Sequence, residues 1–331
     1  MVRPVAERQG CEPEVFGALA AAGQPAILRR LVGDWPVVAA GRSPRAMAEY
    51  LLRFDVGRTL DAFFGAPEIG GRYYYGAGLE GFNFERRTLR FADLMQAIVD
   101  SLDVPGAATV YAGSLPAEEY LPGFVGENAM ALTAALPRVW IGHASNVAVH
   151  YDAMDNLACV VAGHRRFTLY PPQATANLYV GPIDHTLAGQ PVSLAASSPP
   201  DPDRYPQFEA VRDLALIAEL EPGDALYLPK LWWHGVEATA PFNLLVNYWW
   251  DGFRAGPDAP YTALLLAMIT IAERPAPERA AWRAFFDHYV FRPDGHPLRH
   301  LPADQHGILG PLKPDNYGRI RAWVMHLLRG G

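Results

Sequence analysis

Two imidazoles and one carboxylate are the side chains of this sequence best suited to chemistry. His150 and Asp152 stand two apart in His150-Tyr151-Asp152. In a strand, residues two apart point to the same face, so these two present an imidazole beside a carboxylate. A His-x-Asp pair alone arises often by chance. His234, in Leu231-Trp232-Trp233-His234, adds a second imidazole after a predicted strand, Ala225 to Leu228, and a turn at Pro229. Alone it reads equally well as a satisfied core residue among tryptophans. Together the three form the two-histidine, one-carboxylate set that grips one face of an octahedral Fe(II) and leaves three positions open.

Such a set needs strands to carry it, and the middle of the chain supplies them. Short runs rich in β-branched and aromatic residues cover 108–112, 138–142, 147–151, 156–162, 166–170, 225–228 and 244–250, separated by Pro171-Pro172, Pro199-Pro200 and Pro222-Gly223-Asp224. Many short strands with Gly/Pro punctuation predict a sandwich or barrel. The reading is a mainly β jelly-roll core over 106–255, interrupted by a long, proline-rich insert over 173–220. A loop of that length in a compact domain is often functional, as a lid or a substrate wall. Residues 1–105 mix helices and strands that pack on this core. Ser43-Pro44 is a helix start, Phe91, Leu94, Met95 and Ile98 share a helical face, and 59–64 and 72–75 read as strands. From 256 to 331 the chain reads as helical, over 263–272, 278–289 and 319–328. Its run Leu264 to Ile269 is apolar nearly all round, which predicts burial, either inside the fold or against another chain as a homodimer.

Composition narrows the classes. The chain has 331 residues, 50% of them hydrophobic and 19% charged, with net charge −7. That is globular rather than disordered. Two cysteines, Cys11 and Cys159, exclude a disulfide scaffold. No excess of positive charge exists to displace counterions, so nucleic acid is not the expected partner. The most apolar run, 261–272, is shorter than the roughly 18–20 residues of a membrane span. No targeting segment is visible at the start, and a cytoplasmic location is expected.

The order of motifs also resembles a family. Trp140-Ile141-Gly142, His150-Tyr151-Asp152, Asn156-Leu157, Gly163, the run Arg166 to Pro172, Pro222 to Pro229, Trp232-Trp233-His234 and Val246-Asn247-Tyr248-Trp249 follow one another as in the JmjC / cupin-8 oxygenases. The resemblance is to the factor-inhibiting-HIF type of hydroxylase and covers about residues 20–255. It implies a double-stranded β-helix holding Fe(II) through His150, Asp152 and His234, with 2-oxoglutarate as cosubstrate and O2 as oxidant. The implied reaction is hydroxylation of a C–H bond on a protein or peptide side chain, or on a small molecule. Tyr111 matches a tyrosine at the distal carboxylate of 2-oxoglutarate, and Asn156 and Asn247 match asparagines at the iron-proximal carboxylate. Two departures matter. Where the family usually places a lysine, this chain has Arg165, which keeps the charge but is forked and larger. Where a threonine is usual, Val147, Ala148 and Val149 stand. These departures keep two other readings open: a cupin-type metalloprotein with a small-molecule substrate and no 2-oxoglutarate, or a non-catalytic binding module.

The remaining candidates have blander expectations. His143 and His164 are expected to face solvent. His185 lies in the insert, where it would reach substrate if the insert is a wall. Cys159 is expected to be a small core residue. Of Trp232, Trp233, Trp249 and Trp250, at least two are expected in the core and the rest around the iron site.

Overall fold

The computed structural model describes residues 3–187, 189–251 and 258–330. They fall in two compact units, Met1–Asp251 and Gly252–Gly331. The predicted boundary at 255 lies outside the described residues.

In the first unit, β1 (Arg3–Pro4), β2 (Ala6–Gln9), β3 (Ala26–Arg29), β4 (Thr59–Gly65), β5 (Arg72–Tyr73), β6 (Phe84–Arg90) and β7 (Thr109–Pro116) precede the core strands. The core is β8 (Pro137–Gly142), β9 (Ser145–Tyr151), β10 (Asp155–Ala162), β11 (Arg165–Tyr170), β12 (Leu216–Leu220), β13 (Ala225–Leu228), β14 (Trp233–Ala238) and β15 (Asn243–Trp250). They form two sheets, ordered β1-β12-β11-β14-β9-β5 and β2-β3-β13-β10-β15-β8-β7-β4-β6. From β8 to β11, and again from β12 to β15, the chain passes between the two sheets. This is the jelly-roll architecture, with helices on its flanks.

The burial of each strand shows why it lies where it does. β10, read Asn-Leu-Ala-Cys-Val-Val-Ala after Asp155, is buried along its whole length after that residue. It pairs antiparallel with β13 on one side and β15 on the other, which is what a continuous apolar run predicts. In β11, Arg165, Phe167 and Leu169 face inward while Arg166 is exposed, the alternation of a half-buried strand. The helix Phe91–Ser101 buries Phe91, Leu94, Met95 and Ile98 against the outer face of the larger sheet. Ser43 caps the helix Pro44–Leu52, its Oγ accepting from the Ala46 N–H at 3.4 Å.

The insert departs from its reading as a loop. Its last residues, Leu216–Leu220, form β12 and pair with β11. Earlier in it, Ala174, Leu178 and Val211 are buried with Trp233 in a small core of their own. Apolar burial and β pairing therefore fix much of what its prolines suggested was irregular.

The second unit holds helices Pro260–Ile271, Ala276–Phe286 with a π turn over Asp287–Phe291, and Pro314–Leu328. Leu264, Leu265, Met268 and Ile269 were expected to be buried. They are 53%, 40%, 41% and 82% exposed in the single chain, so internal packing does not cover this helix. No helix among the described residues is long and apolar enough to cross a membrane.

Candidate active site

The two sheets enclose a cavity of about 160 Å³ between their inner faces. The smaller sheet contributes His150, Arg165, Phe167, His234 and Val236, and the larger contributes Tyr111, Trp140, Asn156, Asn247 and Trp249. All seven residues singled out in the sequence therefore line one space, Asp152 among them.

His150 and His234 are brought together by register. β9 and β14 are antiparallel neighbours, and His234 is the direct partner of His150. Next to that pair the register shifts between His234 and Val236, a bulge that re-aims side chains beside the site. Asp152 follows the end of β9, and its carbonyl accepts from the Leu231 N–H at 2.8 Å, which ties it to the turn before β14. Leu231 takes a positive φ of 66° to make that turn. The ligand atoms of His150, Asp152 and His234 lie within 4.8 Å of one another. His234 Nε2 stands 3.7 Å from Asp152 Oδ2.

The outer nitrogens set the tautomers. His150 Nδ1–H donates to the Ala148 carbonyl at 2.8 Å, and His234 Nδ1–H donates to the Trp232 carbonyl at 3.0 Å. A carbonyl only accepts, so both Nδ1 atoms carry the proton and both Nε2 lone pairs are free for a metal. Burial first, then His150, push His234 down to about 4, which keeps it neutral. Two imidazoles and a carboxylate so arranged suit a divalent cation.

Arg165 sits deeper. It is 3% exposed, and its Nε has no hydrogen-bond partner among the described residues. No carboxylate pairs with it there; burial pulls its pKa down, and Tyr111 is the group that pulls the other way. The Tyr111 hydroxyl is in turn pushed up by burial, against the pull of Arg165. A buried, unpaired cation is costly, and an anionic ligand in the cavity would neutralise it. Beyond Tyr111, Phe63, Tyr73 and Phe84 close the cavity with aromatic faces, Phe63 and Phe84 being 5.0 Å apart between ring centres.

Several groups were not expected here. Trp140 entered the sequence comparison without a role, yet it lines the cavity; so do Phe63, Tyr73 and Phe84, for which the sequence carries only a strand-like aromatic pattern. The insert reaches the cavity through Leu187, Gln190 and Val192, and Val192 bridges directly to His150. Its Ser193 N–H donates to the Val149 carbonyl at 2.7 Å, and the Val149 N–H donates to Ser197 Oγ at 2.8 Å. His143 does not face solvent: its Nδ1 accepts from the Val110 N–H at 2.9 Å, holding β7. His164 is exposed, and Cys159 is a buried core residue. His185 stacks on Phe82 outside the cavity lining. Of the four later tryptophans, Trp232 and Trp233 are core, Trp250 packs against the main core, and Trp249 lines the cavity.

Comparison with protein families adds an independent observation. The profile of the cupin-like domain, Cupin_8, matches residues 12–256. The chain belongs to this cupin-like family. Among the relatives of this cupin-like domain, it is 38% identical over 115 residues to Jumonji C domain-containing protein 5 of Drosophila melanogaster, covering 34% of this chain and 27% of that one. It is 31% identical over 163 residues to HSPB1-associated protein 1 of Homo sapiens, covering 48% and 32%. It is 39% identical over 101 residues to tRNA wybutosine-synthesizing protein 5 of Danio rerio, covering 30% and 28%. The matches thus span about a third or less of these relatives' lengths. With the two-sheet fold, they assign the chain to the JmjC-like cupins, an oxygenase-type family.

Proposed function

We propose that this cupin-like chain is an Fe(II)- and 2-oxoglutarate-dependent oxygenase that hydroxylates a C–H bond on a protein or peptide side chain. The observation that carries the reading is Arg165, a buried guanidinium with no carboxylate partner among the described residues, lining the same cavity as three side chains placed to hold a metal. When bound, the iron and cosubstrate supply oxygen activation coupled to decarboxylation of 2-oxoglutarate. His150, Asp152 and His234 would hold the metal on one face. Arg165 and Tyr111 would take the distal carboxylate, the arginine able to grip it through two N–H groups. Asn156 and Asn247 would take the proximal one. Val147, Phe167, Val236 and Leu245 wall the cavity with apolar surface and keep water from the reacting centre.

Anaerobic titration with Fe(II) and then 2-oxoglutarate tests this. A weak visible charge-transfer band is expected. Bound metal without the band supports a second reading, a cupin-type metalloprotein acting on a small molecule without 2-oxoglutarate. The observation favouring that reading is the apolar pair Val147 and Ala148 on the cavity wall, where a hydroxyl donor is expected.

The protein substrate rests on the insert. Leu187, Gln190 and Val192 make one wall of the cavity, on a segment pinned to the metal-bearing strand. One relative's name specifies tRNA, but the acidic net charge of −7 here disfavours nucleic acid. Cys11 and Cys159 are free thiols, in keeping with a cytoplasmic setting.

A further inference from the structure

Three polar side chains run in series along the larger sheet toward the cavity. Trp140 Nε1–H donates to Asn247 Oδ1 at 2.7 Å, and Asn247 Nδ2–H donates to Asn156 Oδ1 at 3.2 Å. All three residues line the cavity, and Asn247 and Asn156 are 1% and 6% exposed. An amide can be flipped end for end, so the orientation of an asparagine needs a cause. Here the cause is chemical. An indole N–H can only donate. Asn247 must therefore turn its oxygen to Trp140, which leaves its NH2 to donate onward. Asn156 must then turn its oxygen to Asn247. Its own NH2 is left over, and among the described residues no acceptor meets it.

We propose that Trp140 is a positioning residue that fixes the polarity of this amide pair, so that Asn156 offers an N–H donor to the cavity and the site selects a carboxylate over a neutral or donating group. The inference rests on the reading of the cavity as an α-keto acid site, and it assigns the proximal carboxylate to that donor.

Other observations agree. Trp140 is clamped rather than free to swing. Its ring lies so close to Gly113 that a Cβ there would stand 2.5 Å from Trp140 Cε3, and Trp249 meets it edge-on at 5.6 Å between ring centres. The cavity also carries other donors without acceptors: Arg165 Nε and Trp249 Nε1 are both buried and unpaired among the described residues. A lining with this surplus of donors calls for a ligand made of acceptors.

Two measurements test the proposal. The first needs no ligand: side-chain amide proton exchange by NMR on the metal-free protein. The Asn247 NH2 is expected to be protected and the Asn156 NH2 to exchange at least tenfold faster. The reverse order would mean that the relay runs the other way, and would overturn the proposal. The second is calorimetric titration of the Mn(II)-loaded protein with 2-oxoglutarate, comparing the natural chain with Trp140→Phe, which keeps a ring and removes the N–H. A Kd raised about tenfold or more is expected, at unchanged metal affinity and Tm, in line with loss of an oriented bond to a charged group. An unchanged Kd overturns the proposal. Should Trp140→Phe fail to fold, Asn156→Asp replaces the donor by an acceptor and is expected to weaken 2-oxoglutarate by at least as much; an unchanged Kd there also overturns the proposal. If the natural chain binds metal but not 2-oxoglutarate while the exchange order holds, the function proposed above falls and the relay polarity stands, serving another acceptor-rich anion.

Discussion

His150 and His234 face each other directly across two antiparallel strands, with ring centres 4.3 Å apart. Each is locked by a hydrogen bond from Nδ1 to a backbone carbonyl. Two imidazoles so placed are two of the three candidate metal ligands, fixed in place by the fold itself, and Asp152 supplies the negative charge.

Removing that charge should remove the metal. Asp152→Ala is expected to lower Fe(II) or Mn(II) affinity by at least a hundredfold while leaving the fold intact, because Asp152 lies after the end of β9 rather than inside the core. Equilibrium dialysis with metal analysis checks it. Stoichiometric iron retained by the variant would count against the triad.

Arg165 should trade stability for binding. Its guanidinium is buried with no carboxylate partner among the described residues, a state that costs several kcal/mol in the absence of an anion. Arg165→Met keeps much of the volume and removes the charge. The ligand-free variant is expected to be more stable by about 1–3 kcal/mol, read by chemical denaturation. Its affinity for 2-oxoglutarate should fall at least a hundredfold with metal affinity unchanged. Lower stability together with equal loss of metal would assign Arg165 a folding role instead.

The insert should be felt at the metal strand. Ser197 Oγ accepts the Val149 N–H, one residue before His150. Ser197→Ala leaves that N–H without its partner and is expected to cost about 1–2 kcal/mol. Hydrogen exchange should show faster opening at Val149. Unchanged exchange there would mean that the insert does not hold this strand.

The C-terminal helices should pair two chains. We propose a second copy of this chain as the cover for exposed apolar side chains of this unit, among them Ile269 at 82%, Phe291 at 69% and Leu327 at 62% exposed. Large apolar side chains left exposed together in one unit favour association. Light scattering is expected to give twice the chain mass, and Ile269→Glu to raise the monomer fraction. A monomer for the natural chain at all concentrations would refute it.

Much of this was legible in the sequence, for physical reasons that vary by element. β10 and β15 were readable to within a residue because long apolar runs in a many-stranded region have few other uses. β14 was not, although it carries His234. Gly235 and the adjacent bulge break its alternation, and Trp233 at its start, with Trp232 just before it, suits a core of any kind. β6, Phe84–Arg90, was missed because its charged side chains belong to a sheet edge, where no buried face marks the period. The three side chains that the structure brings together at the candidate metal site were legible from type and spacing. Trp140 was not assigned a role, since only the pairing of β8 with β15 sets Trp140 near Asn247.

The alternation of strands between the sheets has a consequence for synthesis. His150 comes from the first four core strands and His234 from the last four, so a nascent chain that stops short of β14 carries two of the three candidate ligands and no site. Arg165 meets its neighbour strand β14 equally late. A metal held by these three side chains would therefore be captured only once the ribosome had delivered nearly the whole jelly roll, and a loaded centre would certify a finished one.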